Sequence, residues 1–380
     1  MSRIKVLVVE DSAFMRRRLT SIIESDAELV VAGIARNGEE AIERVRELEP
    51  DVITLDVTMP RMDGLTALVH IMMERPTPTV VISSLTQDGA ATTLEALELG
   101  AVDFVAKPSG TVSLDIDRQR DEIVAKVRSA ARARVGRRRS SATLRRQAGG
   151  ASRAERSLAV AGDDATGRMV QSRRFVAHTS SQTRQAGAIV AIGVSTGGPQ
   201  TLLEILPALP APLSVPIVLV QHLPPAFTRS FARRLDAASA VSVKEAEHNE
   251  PLQAGTVYVA PGGYQMTVIE SVIGSGPKIR LSHRPRGLTF CPSVDVLFNS
   301  VARLYGKSAV GVLLTGLGDD GADGMAAIRR AGGTTIAESD ETAVVFGMPR
   351  VAIERGAAGE IVPSYRVADS MLHALRKQTR

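Results

Sequence analysis

Three apolar runs, each ending abruptly in a residue with chemistry, constrain this chain more than any other feature. Ala188-Ile189-Val190-Ala191-Ile192-Gly193-Val194 leads into Ser195-Thr196-Gly197-Gly198. Val218-Leu219-Val220-Gln221 ends at His222, and Val312-Leu313-Leu314 passes into Thr315-Gly316-Leu317-Gly318-Asp319-Asp320. Short continuous apolar runs bounded by turn residues read as strands buried on both faces, as in a parallel sheet covered by helices. Glycines after such a strand let the chain turn sharply into the next helix. A serine, a histidine and carboxylates then meet at the C-terminal edge of one sheet, where open α/β sheets bind their ligands. N–H groups at the start of the helix after Ser195 supply donors for an oxyanion. The pattern predicts a serine hydrolase.

The 380 residues are enough for two domains with separate cores. The first ~130 alternate strand and helix signals as a five-fold β/α unit. Strands are expected at Ile4–Val9, Leu29–Ala35, Val52–Leu55, Thr79–Ser83 and Asp103–Ala106. Helices are expected at Ala13–Glu24, Glu39–Leu48, Ala90–Leu99 and Ile116–Arg132. From Val135 to Ala186 periodicity fails in a segment rich in Arg, Ser, Gly and Ala, which predicts a disordered linker. Periodicity returns at Ala188. Strands are expected at Ala188–Val194, Ile217–Gln221, Val241–Ala246, Thr256–Ala260, Lys278–Ser282, Ala309–Thr315 and Thr334–Ala337. Helices are expected at Thr201–Leu206, Phe227–Ala237, Ser293–Tyr305 and Gly321–Ala331, and His373 falls in an amphipathic C-terminal helix. The expected architecture is an α/β chain in three parts. Residues 1–130 form a five-stranded parallel-sheet domain, 131–186 a flexible Arg-rich linker, and 187–380 a doubly wound, mostly parallel α/β hydrolytic domain. The pieces around Thr256–Ser282 are expected to add an antiparallel hairpin.

Charge is distributed unevenly. Arg132 to Arg184 holds thirteen arginines, no lysine and three acids, a net +10, whereas the whole chain is only +5. The folded parts therefore sum to −5, and the basic character belongs to the linker alone. The high pI therefore says nothing about a nucleic-acid-binding face on the folded domains, and no nucleic-acid partner is expected. A basic tether could still hold the chain peripherally at an anionic surface. One cysteine, Cys291, excludes a disulfide framework and suggests a reducing compartment. No apolar run approaches the ~20 residues that span a bilayer. Ile4–Val9 runs straight into Glu10-Asp11, too short and too soon acidic for a signal peptide. The expected location is cytoplasmic, without membrane insertion.

In the first domain, five polar groups stand at five strand ends: Glu10 and Asp11, Asp56, Ser83 and Lys107. Clustered carboxylates favour a hard cation such as Mg²⁺, and a lysine and a hydroxyl beside them supply donors to phosphoryl oxygens. Val8-Val9-Glu10-Asp11-Ser12, Leu55-Asp56-Val57-Thr58-Met59-Pro60-Arg61-Met62-Asp63-Gly64 and Ala106-Lys107-Pro108 resemble the signature of the response-regulator receiver domain. The resemblance covers residues 1 to about 125. It implies that Asp56 accepts a phosphoryl group from a sensor histidine kinase, and that Glu10, Asp11 and Asp56 hold Mg²⁺. It also implies that Ser83 and Lys107 read the phosphoryl group. Glu10-Asp11 stands where many receivers have two aspartates.

Gly193-Val194-Ser195-Thr196-Gly197 taken alone fits the nucleophile elbow of α/β-hydrolases, but the order Ser195, His222, Asp320 does not follow that fold. A dinucleotide loop is disfavoured because Gly-x-Gly-x-x-Gly spacing is missing and the next strand ends in His222 rather than an acid. Residues 187 to about 375 resemble the catalytic domain of the chemotaxis receptor methylesterases, which are also protein-glutamine glutaminases. The matching blocks are 192–199, Gln221-His222-Leu223-Pro224-Pro225-Ala226-Phe227-Thr228, Pro292-Ser293-Val294-Asp295, 314–321 and Val345-Phe346-Gly347-Met348-Pro349. This likeness implies Ser195 as nucleophile, His222 as general base and Asp320 as the carboxylate that orients it. Asp319 is the rival for the last role, and only the family pattern favours Asp320. Backbone N–H groups near Thr196 and Leu317 are the expected oxyanion donors, and hydrolysis needs no cofactor. The substrate implied is a γ-glutamyl methyl ester, or a glutamine side chain, on methyl-accepting chemotaxis receptors. Cys291 departs from the arginine common in relatives. A DNA-binding response regulator is the competing reading, but the C-terminal half carries no helix-turn-helix pattern.

Overall fold

In the computed structural model, which describes residues 3–84, 86–107, 119–133, 187–271, 276–283 and 287–378, the near-continuous apolar runs form buried parallel strands. The first sheet comprises β1 (Ile4–Val9), β2 (Leu29–Ala35), β3 (Val52–Asp56), β4 (Thr79–Ser84) and β5 (Asp103–Lys107). It runs in the order 2-1-3-4-5 with every pairing parallel. Helices α1 (Ala13–Glu24), α2 (Gly38–Leu48), α3 (Gly64–Glu74), α4 (Gln87–Glu98) and α5 (Arg120–Ala131) connect and close it. Four of them begin at a side chain that accepts a hydrogen bond from the first turn: Ser12, Asn37, Asp63 and Thr86. Of the expected linker 131–186, Ala131 ends α5 and residues 134–186 lie outside the described residues, as do Pro108 and Ile116.

Helix α3 has no counterpart among the expected helices. Its sequence, Gly-Leu-Thr-Ala-Leu-Val-His-Ile-Met-Met-Glu, lacks a continuous polar stripe. Ala67, Leu68 and Ile71 are buried while Met73 stands exposed, so hydrophobicity alone does not mark a face.

The second sheet has seven strands in the order 14-13-12-6-7-9-8, and every pairing is parallel. They are β6 (Ile189–Val194), β7 (Ile217–Gln221), β8 (Ser242–Glu245), β9 (Thr256–Val259), β12 (Ala309–Leu313), β13 (Thr334–Glu338) and β14 (Glu360–Val362). The strand expected at Thr256 thus belongs to this sheet. The antiparallel hairpin is made instead by β10 (Gln265–Ile269) and β11 (Lys278–Ser282). Helices α6 (Gly198–Ile205), α7 (Pro225–Ala238), α8 (Val294–Tyr305), α9 (Ala322–Arg330), α10 (Met348–Glu354) and α11 (Ser364–Gln378) complete the unit. Strands β10 and β14 and helix α10 are short elements that periodicity did not disclose.

Two consequences matter for the site. Strands β12, β6 and β7 are immediate neighbours, so their tips stand about 5 Å apart. The two sheets also share one continuous apolar cluster, in which Phe104 at β5 meets Phe227 on α7 with ring centroids 4.6 Å apart. Residues 1–135 and 185–380 accordingly form one compact body.

Gly64 shows how tightly the β3–α3 corner is closed. A Cβ there would lie 2.1 Å from the Asp56 carbonyl oxygen, and Gly64 N–H donates to Val57 O at 2.9 Å. Because the clash is with backbone, Gly64→Ala is expected to cost about 1–3 kcal/mol. The thermal midpoint followed by circular dichroism should fall by several degrees; an unchanged midpoint would show that the corner is free to relax.

Candidate active site and acidic pocket

Ser195 leaves the tip of β6 with its backbone fully engaged. Its N–H donates to Thr315 O at 2.9 Å, and its carbonyl accepts from Gly198 N–H at 2.8 Å and Gln221 Nε2 at 2.9 Å. His222 follows β7 and its N–H donates to Val194 O at 3.2 Å, which ties the two strand tips together. The imidazole lies between two partners: Nδ1 is 3.0 Å from Ser195 Oγ and Nε2 is 2.8 Å from Asp320 Oδ2. One tautomer serves both contacts, with the hydrogen on Nε2 donated to Asp320 and the Nδ1 lone pair facing the serine hydroxyl. The two ring nitrogens are exchanged relative to the chymotrypsin arrangement, with the same order of hydroxyl, imidazole and carboxylate. Phe290 stacks on the imidazole, centroids 4.2 Å apart and planes 3° from parallel.

Asp320 is held at the N-terminus of α8. Its Oδ1 accepts from Ser293 Oγ at 2.8 Å and Asp295 N–H at 3.0 Å, and its Oδ2 accepts from Val294 N–H at 2.7 Å. Burial alone would raise its pKa. Hydrogen bonds and charge from His222, with the N–H groups of Asp295 and Val294, outweigh that and hold the carboxyl below its usual range. Asp319 is exposed and pairs with Arg355 at 3.1 Å. Geometry therefore joins Asp320, not its neighbour, to His222. Asp295 beside it goes the other way: burial first, then the charges of Asp320 and Asp323, lift its pKa to about 6.

A cavity of about 510 Å³ opens in front of Ser195 and His222, and both Thr196 and Leu317 line it, as do Phe290 and Cys291. Its opposite wall comes from the first sheet, through Asp103, Phe104 and Ala106. The two walls are fastened together. Thr196 Oγ1 donates to Asp103 Oδ2, Gln200 Nε2 donates to Ala101 O at 3.2 Å and to Leu97 O, and Arg234 pairs with Glu98. His373 stands exposed on α11, remote in role from this network.

The first sheet carries its own polar edge. Glu10, Asp11 and Asp56 present oxygens within 4.8 Å of one another. Lys107 Nζ lies 2.9 Å from Asp56 Oδ2 and 3.0 Å from Glu10 Oε2. Burial, followed by the charge of Asp56, pushes the Glu10 pKa from its ordinary 4.5 up to about 7. Asp56 is raised by burial too, against the pull of Lys107. For Lys107, burial is opposed and outweighed by Asp56 and Glu10, which raise its pKa. Glu10 Oε2 is buried and meets no well-aligned donor. An all-oxygen set in which one lysine faces three clustered carboxylates suits a small hard divalent cation. A cavity of about 260 Å³ beside Asp56 is lined by Ser83, Thr58, Thr86 and Lys107.

All residues expected from sequence thus reach two sites, Ser195, Thr196, His222, Leu317 and Asp320 in one and Glu10, Asp11, Asp56, Ser83 and Lys107 in the other. Ser293, Gln221, Phe290 and Asp103 were not singled out for the network they join. Ser293 had a readable signal, a serine just before an apolar helical run. Phe290 and Asp103 had none, because their roles arise from contacts across distant parts of the chain.

One α/β layer thus carries an acidic edge and the other a serine–histidine–aspartate chain, the combination expected of a response regulator joined to a hydrolase. Comparison with known proteins agrees. Residues 190–371 match the family described as CheB methylesterase, and residues 6–116 match the response regulator receiver domain. A protein-glutamate methylesterase/protein-glutamine glutaminase of Carboxydothermus hydrogenoformans is 48% identical over 99% of this chain and 100% of its own length. One from Pyrococcus abyssi is 44% identical over 98% and 94%. The crystal structure of the Thermotoga maritima CheB methylesterase catalytic domain covers 49% of this chain and 98% of its own, with 41% identity and a TM-score of 0.48. The chain belongs to the protein-glutamate methylesterase/protein-glutamine glutaminase family, and it is a hydrolase with a receiver domain.

The Glu10 shift has a signed consequence. The folded state keeps a proton on Glu10 that the unfolded state releases, so stability should fall as pH rises from about 4.5 towards about 7. Thermal melts without divalent cation should show the parent losing ground to Glu10→Gln between about pH 5 and pH 8. A constant difference between the two across that window would contradict the buried, proton-binding state of Glu10.

Proposed function

We propose that this chain removes methyl esters from glutamates of methyl-accepting chemotaxis receptors, and deamidates specific receptor glutamines, under control of phosphorylation at Asp56. The observation that carries the reading is the hydrogen-bonded chain Ser195–His222–Asp320, set at three adjacent strand tips and opening on a cavity. Family membership supplies the substrate class, since the relatives are named for protein glutamate esters and glutamines. In this reading residues 1–130 are the receiver, 131–186 the tether and 187–380 the catalytic domain, in a cytoplasmic protein that receives its phosphoryl group from a sensor histidine kinase.

The chemistry follows from the distances. His222 Nδ1 takes the hydroxyl proton as Ser195 Oγ attacks the γ-carbonyl carbon. Asp320 keeps the ring in the required tautomer and stabilises the imidazolium that forms. N–H groups of Thr196 and Leu317, both at the cavity wall, hold the oxyanion, each such donor contributing about 3 kcal/mol. The imidazolium returns its proton to the departing methoxide, which leaves as methanol, or to the nitrogen that leaves as ammonia. Water then attacks the acyl-serine, giving its proton to His222, and the glutamate side chain departs as Ser195 is restored.

Control is read from the wall that the receiver contributes. Asp103 and Phe104 close one side of the cavity, so the unphosphorylated receiver restricts entry of a receptor helix. Lys107 ends β5 and Asp103 begins it, about 13 Å apart along one strand. A phosphoryl group on Asp56 would draw Lys107 and the Ser83 hydroxyl towards its oxygens, and β5 would transmit that shift to the Asp103–Thr196 contact. Mg²⁺ held by Glu10, Asp11 and Asp56 would screen the negative charge as the phosphoryl group arrives.

Methanol release from methylated receptor membranes tests both halves. Ser195→Ala should abolish it, on the order of 10⁶-fold, and Asp320→Asn should cost less, on the order of 10⁴-fold. A small-molecule phosphodonor with Mg²⁺ should stimulate the parent and leave Asp56→Asn unchanged. Release by Ser195→Ala at near-parent rates would remove the serine mechanism, and stimulation of Asp56→Asn would remove the control.

A further inference from the structure

Gln221 occupies the last position of β7, buried and one residue before His222. Its side chain does not point along its own strand tip but crosses to β6, where Nε2 donates to the Ser195 carbonyl at 2.9 Å. That carbonyl also accepts from Gly198 N–H at 2.8 Å, so both of its lone pairs are used. The peptide joining Ser195 to Thr196 is planar and trans, which places its N–H opposite its C=O. Anchoring the carbonyl on the helix side therefore turns the Thr196 N–H outward, to the side where Thr196 lines the cavity. Thr315 secures the next link, since its Oγ1 donates to Thr196 O at 2.8 Å.

The other end of the amide shows what this arrangement costs. Gln221 Oε1 is buried, and among the described residues it meets no donor. An unsatisfied buried acceptor is unfavourable by about 1–3 kcal/mol. Space is also reserved for it: a Cβ on Gly198 would sit 2.1 Å from Oε1, so only glycine fits at the first position of α6. An apolar side chain of similar length would fill the same volume without the orphaned oxygen. A buried amide kept under those terms points to what its Nε2 holds, the Ser195 carbonyl at 2.9 Å and, at the longer distance of 3.5 Å, the His222 carbonyl, as the reason for its presence.

We infer that Gln221 is a positioning residue for the oxyanion donor: its hydrogen bond to the Ser195 carbonyl fixes the 195–196 peptide with the Thr196 N–H aimed at the reacting carbonyl oxygen. This rests on the serine mechanism proposed above and adds to it the group that preorganises one donor. Oxyanion holes act by donors already oriented before charge develops, so a freed peptide weakens the transition state more than the ground state.

Full-length Gln221→Met and Gln221→Glu test the assignment, with Ser195→Ala beside them under the same phosphodonor conditions. Met keeps the volume and removes the donor, and Glu keeps the shape while replacing the donor with an acceptor. Both are expected to lower kcat for methanol release about tenfold to a hundredfold, with KM within about twofold of the parent. The pH midpoint of kcat/KM should stay in place, because the His222–Asp320 contact is untouched. The thermal midpoint of Gln221→Met should equal or exceed that of the parent. Parent-like kcat in Gln221→Met would overturn the inference, as would a kcat loss that tracks a lowered thermal midpoint or a displaced pH profile. An active Ser195→Ala protein would instead bring down the serine mechanism itself, so the two failures are separable.

Discussion

The carboxylate of Asp320 is a buried negative charge, and its satisfaction organises the catalytic layer. A carboxylate removed from water needs hydrogen bonds on both oxygens, or it protonates and loses its effect on an adjacent imidazole. Here four donors arrive from two directions, three from the first turn of α8 and its cap, Ser293, and one from His222. The helix dipole adds its positive end. This single contact fixes how the loop after β12, the start of α8 and the tip of β7 must meet. Once they meet, His222 has only one productive orientation, and Phe290 stacked on its face keeps it there.

The cavity in front of that network is built from both α/β layers, and it lies where the shared apolar cluster ends. Phe104 against Phe227 supplies the packing, while Asp103 to Thr196 and Gln200 to Ala101 O supply the register. Aromatic packing is tolerant of small shifts, whereas a hydrogen bond to one hydroxyl is not. A displacement of β5 by an ångström would therefore break the polar contacts first and leave the apolar ones partly in place.

Much of this was legible in the sequence because parallel strands announce themselves. Runs such as Ile189–Val194 and Ile217–Gln221 are buried on both faces, and each ends where the polar residue begins, so Ser195 and His222 were placed by chain chemistry alone. What escaped had weaker local signals. Helix α3 is apolar around more than one side, and β14 is three residues long. A periodicity of two does not say which partner a strand takes, so the sequence points to a hairpin at Thr256 where β9 instead joins the main sheet. The choice between Asp319 and Asp320 was local in sequence but not in space: one reaches Arg355 in solvent, the other the turn of α8, and only the fold of distant segments separates them.

The two acidic sites of this chain solve the same burial problem in opposite ways. Asp320 is as deeply enclosed as Asp56, yet its pKa is lowered while those of Glu10 and Asp56 are raised. The difference is in the donors. The Asp320 site contains every partner its carboxylate needs, as the proposed mechanism requires of a charge that persists through each turnover. The receiver edge sets Glu10 and Asp56 against one lysine, with Asp11 exposed beside them, so a single cation faces more carboxylate charge than it can balance. A deficit of positive charge there makes the site responsive, since an incoming cation or phosphoryl group changes its energy by far more than it could change a site already satisfied. Completeness at β12 and incompleteness at β1–β3 are thus two uses of one electrostatic cost, the first suited to a fixed geometry and the second to the proposed switch.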